Sequence, residues 1–438
     1  MTLTHLGPWE IVTLLTGAFL ALFDFQNLLS WRKKLVLSPL ESGIADFTVV
    51  IPLFGDPRYF DHRERLQHLK ERILVAIEVS SERMESFARE LEGEGWTVFR
   101  AVIPAPSPPK LLLAALEADA VETTYAMRLD ADSVVGHDLP NAIAAAEQDG
   151  ADLCSVKVHV RNRTQNACTR FQALEYDMAM LARHYRPWLI SGAGVVARTG
   201  MLREILRRHS MSPLGEDIEM GRIAFAGRLR IRHLDIVIET DAPDSWRALF
   251  HQRRLWWAGN FRHSFINFDR NAIQLPWWSL YNVSILWMTI HFHVWSYAAS
   301  VLHPSMTFLA LVVLLLGAAA ATTLFSNWQV RTPLMIVFPL YAIVQSTLIF
   351  SVGALWYLRL VVGSGSFGRY RFGLRRRRLV LPARTIPKEW LERWSVEPRL
   401  PRVRPAPARR PAFMTVAPPL TIALAVTGLM YARRRAAR

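Results

Sequence analysis

TTYAMRLDADS, residues 123–133, is an apolar run that stops at two carboxylates, Asp130 and Asp132. The run reads as a buried β-strand, and its carboxyl end is where open α/β sheets bind their ligands. On an extended chain the side chains at i and i+2 point to the same side. The two carboxylates are therefore spaced to hold a hard divalent cation against a diphosphate. Asp-Ala-Asp-Ser also suits a turn or a helix cap.

Upstream of this strand, strand-like and helix-like stretches alternate, the pattern of an α/β domain. FTVVIPL at 47–53 reads as a buried strand that ends at a Gly-Asp-Pro turn, and 73–79 and 96–102 read as two more. Helices are expected at 81–91 and 109–118. No GxGxxG follows any of these strands, which argues against a dinucleotide-binding fold. Downstream, LGEDIEM at 214–220 places Glu216 and Asp217 where a helix begins, and 246–266 reads as an amphipathic helix containing QRRLWWAG at 252–259. On that helix Phe250, Trp257, Phe261 and Phe265 recur on one face, suited to a membrane interface.

The composition fits a membrane-bound chain of several parts: 438 residues, 51% hydrophobic, with a net charge of +15. Much of the basic excess flanks apolar runs, at 32–34, 375–378 and 433–435, as the bias of basic residues towards the cytoplasmic face predicts. No zinc spacing, aromatic RNA signature or separate basic domain accompanies the charge, so nucleic acid is not an expected partner. Cys154 and Cys168 stand in no metal-binding spacing and read as buried thiols of a reducing compartment.

Membrane-length runs frame the α/β region. An N-terminal transmembrane anchor is expected at 8–31, because no Lys or Arg precedes it and no small-residue cleavage site follows. The catalytic portion then covers 45–245 on the cytosolic side, the interfacial helix region 246–275, and further transmembrane segments 276–362. A basic Pro/Arg-rich linker (363–412) and a transmembrane or interfacial helix (413–432) complete the chain. Three spans after a cytosolic domain would put the Arg-rich linker outside, against the charge bias, so the number of crossings stays open.

Taken in order, these motifs resemble the inverting, membrane-integrated glycosyltransferases of family 2, which include cellulose, chitin and hyaluronan synthases. VVIPLFGD is similar to the family's opening strand and turn, PPKLLLAAL to its GKxxAL segment, and LDADS to its metal motif. SGAGVVAR is similar to its acceptor-side loop, GED to its catalytic-base motif and QRRLW to its QxxRW helix. The resemblance implies a GT-A-type nucleotide-sugar-binding domain with an amphipathic interfacial helix and multiple transmembrane helices. It implies transfer from a nucleotide diphosphate sugar, a UDP-sugar above all, to a growing β-linked polysaccharide, coupled to translocation across the plasma (inner) membrane. Non-processive transfer to a lipid acceptor, or an inactive membrane scaffold that keeps the fold, are the alternatives.

Residue roles follow from the same resemblance. Asp132 would ligate Mg2+ or Mn2+, and Asp130 would contact the donor's ribose or lie beside the metal. Glu78 would contact the base, where the family more often has Asp, and Lys110 would approach the nucleotide or sit on the surface. Asp217 would be the catalytic base, or else only a first-turn carboxylate stabilised by the helix dipole. Glu216 would support the acceptor side, Gln252 would bind the donor diphosphate, and Trp256 would stack on the acceptor sugar. The motif is broken at Leu255, which stands where the family has Arg. Arg254 lies about 200° round the helix from Gln252, so Arg253, about 100° round, is the better substitute. Both arginines could instead serve lipid phosphates.

Overall fold

The structure is a computed structural model. It describes residues 25–263 except 32, 44, 105 and 213, then 279–281, 283–284, 320–330, 332–345 and 350–363, with isolated positions 15 and 317. Most of the expected N-terminal anchor, residues 264–275, most of the membrane region up to 319, and the linker and C-terminal helix beyond 363 lie outside the described residues.

A single mixed sheet organises the catalytic region. Its strands are β1 (Val36–Leu37), β2 (Phe47–Leu53), β3 (Ile73–Glu78), β4 (Thr97–Ala101), β5 (Tyr125–Leu129), β6 (Val134–Val135), β7 (Leu153–Val160), β8 (Gly194–Arg198) and β9 (Ile231–Thr240). Their order is β1-β9-β7-β8-β5-β2-β3-β4, with β6 on β9. β5, β2, β3 and β4 run parallel, and β8 is antiparallel to both of its neighbours, β5 and β7.

Strands of a parallel sheet covered on both faces must be apolar on both, and the sequence supplies this. Val49, Ile51 and Leu53 of β2 face one core with Ile73, Val75 and Ile77 of β3. Val50, Leu74 and Ala76 face the other. Helix α1 (Glu82–Gly93) covers the first face through Met84, Phe87 and Leu91, and the Ser81 hydroxyl accepts from Met84 N at its start. Helix α2 (Pro108–Glu117) covers the second face, and α3 (Leu139–Asp149) returns to the first. The expected strand and helix positions from 47 to 129 hold to within two residues at each end.

Helix α4 (Ala167–Arg183) opens with a reciprocal capping box between Asn166 and Thr169. Then come α5 (Thr199–Arg208), α6 (Glu216–Ala226) and α7 (Trp246–Phe261), followed in the C-terminal part by α8 (Phe338–Ile343) and α9 (Phe350–Gly363). Among the described residues no helix is long and apolar enough to cross a membrane.

Helix α7 is buried against protein through residues outside the aromatic stripe that the sequence gives to a membrane interface. Its buried residues are Leu249, Arg253, Ala258 and Gly259, whereas Phe250 is 40% exposed, and Phe265 lies outside the described residues. The reason is packing on several sides. Leu249 meets Cys168 and Leu174 of α4 together with Met335 and Tyr341. Ala258 meets Leu214 and Tyr357 of α9. The buried face of α7 follows its neighbours and not its own aromatic periodicity.

Candidate active site

β5 ends where the cluster begins. Arg128 and Asp130 are two apart and share a side, and Arg128 Nη2 donates to Asp130 Oδ1 at 2.9 Å. Extended geometry stops at Leu129, and Ser133 N donates to Asp130 O at 3.0 Å, so Asp132 sits in a turn. Strand alternation therefore pairs Asp130 with Arg128, and a turn, not the pleat, places Asp132; the sequence reading of both carboxylates on one extended face is corrected.

The antiparallel register of β5 and β8 completes the cluster. Leu129 lies opposite Gly194, so the loop entering β8 passes directly beside Asp130. Asp130 N donates to Ala193 O at 3.1 Å, and Gly192 N donates to Asp217 Oδ2 at 3.0 Å. A Cβ on Gly192 would stand 3.5 Å from Asp130 Oδ2, 3.6 Å from Arg128 Nη2 and 3.9 Å from Asp217 Oδ2. Position 192 thus lies within van der Waals range of three side chains of the site. Glu216 joins them, its Oε1 accepting from Arg128 Nη2 at 2.5 Å while its Oε2 is buried without a hydrogen bond. Asp217 Oδ1 accepts from Ile218 N at 2.8 Å.

Carboxylates outnumber cations in this cluster. Burial, together with nearby Asp132 and Asp217, pushes Asp130 up to about 6 against the pull of Arg128. About a third of the Asp130 side chain reaches solvent, but the protein around it limits how well water solvates the charge. Burial likewise pushes Glu216 up to about 7, Arg128 opposing and Asp130 and Asp217 adding to it. Asp132 is raised as well, chiefly by burial. Arg128 is itself buried, yet Glu216 and Asp130 hold it above the ordinary guanidinium range.

Such an excess of carboxylate oxygen suits a hard divalent cation. Among the described residues no three His, Cys, Asp or Glu side chains are gathered to cage a metal by themselves. The residues fit a cation held by Asp132, with Asp130 beside it, whose shell is completed by phosphate and water. That is the usual manner of Mg2+ with a phosphate-bearing substrate.

The remaining residues singled out in the sequence are placed as follows. Glu78 ends β3 and accepts from Ser80 N and Oγ, both at 3.0 Å. Lys110, in the first turn of α2, donates to Pro104 O at 2.9 Å. Gln252 presents a buried Oε1 without a hydrogen bond. Arg253 is buried and gives both terminal nitrogens to Glu175 of α4, at 2.9 and 3.0 Å. Its guanidinium also lies 4.2 Å from the centre of the Trp256 ring. Arg254 stacks on Trp356 of α9 at 4.2 Å. Leu255 and Trp256 are each 44% exposed, and the Trp256 ring is 6.3 Å from that of Tyr176.

Sequence reading missed Arg128, Glu175 and Arg262, and took Gly192 only as part of the SGAGVVAR loop. Arg128 had a signal, a charge inside an otherwise apolar strand; Glu175 and Arg262 act across long separations and left none. Arg262 donates to Glu219 Oε2 at 2.8 Å and to Leu214 O at 3.0 Å, and Glu219 also accepts from Ser210 N and Oγ. These bonds tie the end of α7 to the helix that carries Asp217.

The same junction is closed by two glycines. Gly215, at φ +66°, caps α6 in the left-handed region, and a Cβ on Gly259 would come within 2.7 Å of Gly215 N and 2.9 Å of its Cα. Backbone atoms cannot turn aside as a side chain can. Gly259→Ala should therefore cost about 1–3 kcal/mol of stability and displace the GED turn. Thermal unfolding and transfer rate measured together check this, and a variant with wild-type values of both would show that the junction yields freely.

A mixed sheet with one antiparallel strand inserted beside the metal-suited carboxylates, and a further carboxylate at a facing helix start, defines a GT-A-like glycosyltransferase. The chain belongs to the family described as glycosyl transferase family group 2, whose sequence model matches residues 126–358. Among solved structures it is similar in fold to a mannosyltransferase from Pyrobaculum calidifontis in complex with GDP-Man and Mn2+. The two are 15% identical with a TM-score of 0.55, over 80% of this chain and 99% of that one. It also matches residues 1–349 of S. aureus TarS in complex with UDP-GlcNAc, at 14% identity and a TM-score of 0.35, over 72% of this chain and 92% of that one. No curated protein sequence matches it significantly.

Proposed function

We propose that this protein is an inverting, metal-dependent glycosyltransferase. It moves a sugar from a nucleotide diphosphate donor, a UDP-sugar in the first instance, to a growing β-linked polysaccharide at the cytosolic face of the inner membrane. The observation that carries the reading is the convergence of Asp130 and Asp217 on Gly192. It sets a metal-side carboxylate and a candidate base beside one another at the same loop. GDP-Man and Mn2+ in the archaeal relative in fold support a sugar nucleotide with a divalent cation as the ligand pair.

In this mechanism Asp217 accepts the proton of the acceptor hydroxyl. The freed oxygen attacks the anomeric carbon, the bond from that carbon to the phosphate oxygen breaks, and the nucleoside diphosphate leaves from the opposite face. Gly192 N–H and Ile218 N–H hold the Asp217 carboxylate in place for that transfer. Asp132, with Asp130 beside it, would hold a divalent cation, which would supply charge neutralisation for the leaving diphosphate. Glu216, fixed by Arg128, remains the candidate for supporting the acceptor side. Trp256 offers an open ring face for the acceptor sugar, and Gln252 remains the candidate for the donor diphosphate. Glu78 and Lys110 remain the candidates for the base and nucleotide side. Membrane segments on either side of the catalytic region, expected from sequence, would carry the product.

Transfer of one sugar to a lipid acceptor is favoured by one observation. Arg253 is turned into an ion pair with Glu175, Arg254 stacks on Trp356, and the apolar Leu255 is what lies exposed beside Trp256. Radiolabelled transfer from a panel of UDP- and GDP-sugars, with products sized and digested by linkage-specific hydrolases, separates the two. Long product supports the polysaccharide reading and a single-sugar lipid product the other. Activity should vanish on chelation and return with Mg2+ or Mn2+; turnover without metal removes the role given to Asp132.

A further inference from the structure

The carboxylate of Glu175 collects donors from three places. Arg253 of α7 approaches both of its oxygens, at 2.9 and 3.0 Å. Tyr341 Oη of α8 donates to Oε2 at 3.0 Å, and Gln345 Nε2 donates to the same oxygen at 2.9 Å, while Gln345 and Tyr341 also contact each other. Arg253 is 3% exposed at its side chain and Glu175 28%. Around them lie Leu174, Leu249 and Phe338.

An ion pair in apolar surroundings contributes little net stability compared with well-packed hydrocarbon, since desolvation offsets the attraction. What a fork of two hydrogen bonds does supply is a fixed plane. Here the plane is that of the guanidinium stacked 4.2 Å from the Trp256 ring centre. Arg253 therefore supports one face of the indole, while 44% of the residue stays open to solvent. A tryptophan that exposed and that closely backed is a preorganised platform.

We propose that Glu175 is a positioning residue for the acceptor: by clamping Arg253 it holds Trp256 in the orientation on which an acceptor sugar stacks. The proposal rests on the transferase reading above. It also gives Tyr341 and Gln345 a part in the site, because they lie in the region at 276–362 that the sequence reads as transmembrane segments and bond to the same carboxylate. The orientation of the acceptor platform is thereby coupled to that region.

The test uses the full-length protein in its native membranes, which supply the acceptor, and the radiolabelled nucleotide sugar that the wild type consumes. Two products are counted: label attached to acceptor and label released as free sugar by attack of water. With the platform loosened, water competes better for the same donor. Glu175→Gln should raise the ratio of hydrolysis to transfer by about tenfold, the scale of a sub-ångström misplacement of a reactant. Trp256→Ala should shift the ratio in the same direction. Tyr341→Phe, which removes one donor and leaves the ion pair, should give a smaller shift of the same sign and covers the case in which Glu175→Gln does not fold. Transfer and hydrolysis falling together in both Glu175→Gln and Tyr341→Phe would mean a purely structural role and overturn the proposal, as would an unchanged ratio. A wild type that consumes no sugar nucleotide would overturn the transferase reading instead.

Discussion

Asp217→Asn lowers the transfer rate by about 10²–10⁴-fold, the usual contribution of a positioned general base. The residue accepts from two backbone N–H groups, Gly192 and Ile218, one on each carboxylate oxygen. Asparagine can offer an acceptor to only one of them, and its NH2 faces the other donor. A stability loss of about 1–3 kcal/mol therefore accompanies the rate loss, as for other buried donors left unmet. Binding of the nucleotide sugar, measured by calorimetry on the folded variant, should survive, since the base touches the acceptor and not the diphosphate. Transfer retained at the wild-type rate would sink the assignment and leave Asp217 as a helix-start carboxylate alone.

Arg128→Met should be the most damaging substitution for the fold. Arg128 is 1% exposed at its side chain, and it alone donates to both Asp130 and Glu216 in the hydrogen bonds described for the cluster. Removing one partner of a buried pair leaves the other as an uncompensated charge, a cost of about 3–5 kcal/mol. Glu216, already pushed up to about 7, would then have to fold protonated. Arg128→Met combined with Glu216→Gln should recover a good part of the loss, because the buried carboxylate goes with the cation. Denaturant unfolding of both variants checks this. A double variant no more stable than the single one would place the penalty in the packing of β5 rather than in its charges.

How much of this was legible beforehand differs by level. The strands from 47 to 129 announced themselves because a sheet covered on both faces needs unbroken apolar runs, and FTVVIPL, ILVAIE and YAMRL supply them. Asp130, Asp132 and Asp217 were visible because their motifs are local. The orientation of Asp132 was not, since whether a chain stays extended or turns after Leu129 depends on the ladder beside it. On α7 the aromatic period suggested a face for the membrane interface, but which residues would be buried against protein was set by neighbours distant in sequence. Leu255 stood out as a departure from the motif, although nothing local said that Arg253 would be claimed by Glu175, 78 residues earlier.

By itself, then, the sequence determined the class of sheet, the order of its elements and the short motifs at the strand and helix ends, all of which follow from periodicity and residue type over a few positions. Only the tertiary structure decided which of those motifs meet. The antiparallel pairing of β8 with β5 carries Gly192 to Asp130 and Asp217, and the contact of Gly215 with Gly259 seats the helix of Trp256 against the helix of Asp217. Pairing and close packing are set by partners far apart in the chain, whose register no local pattern encodes.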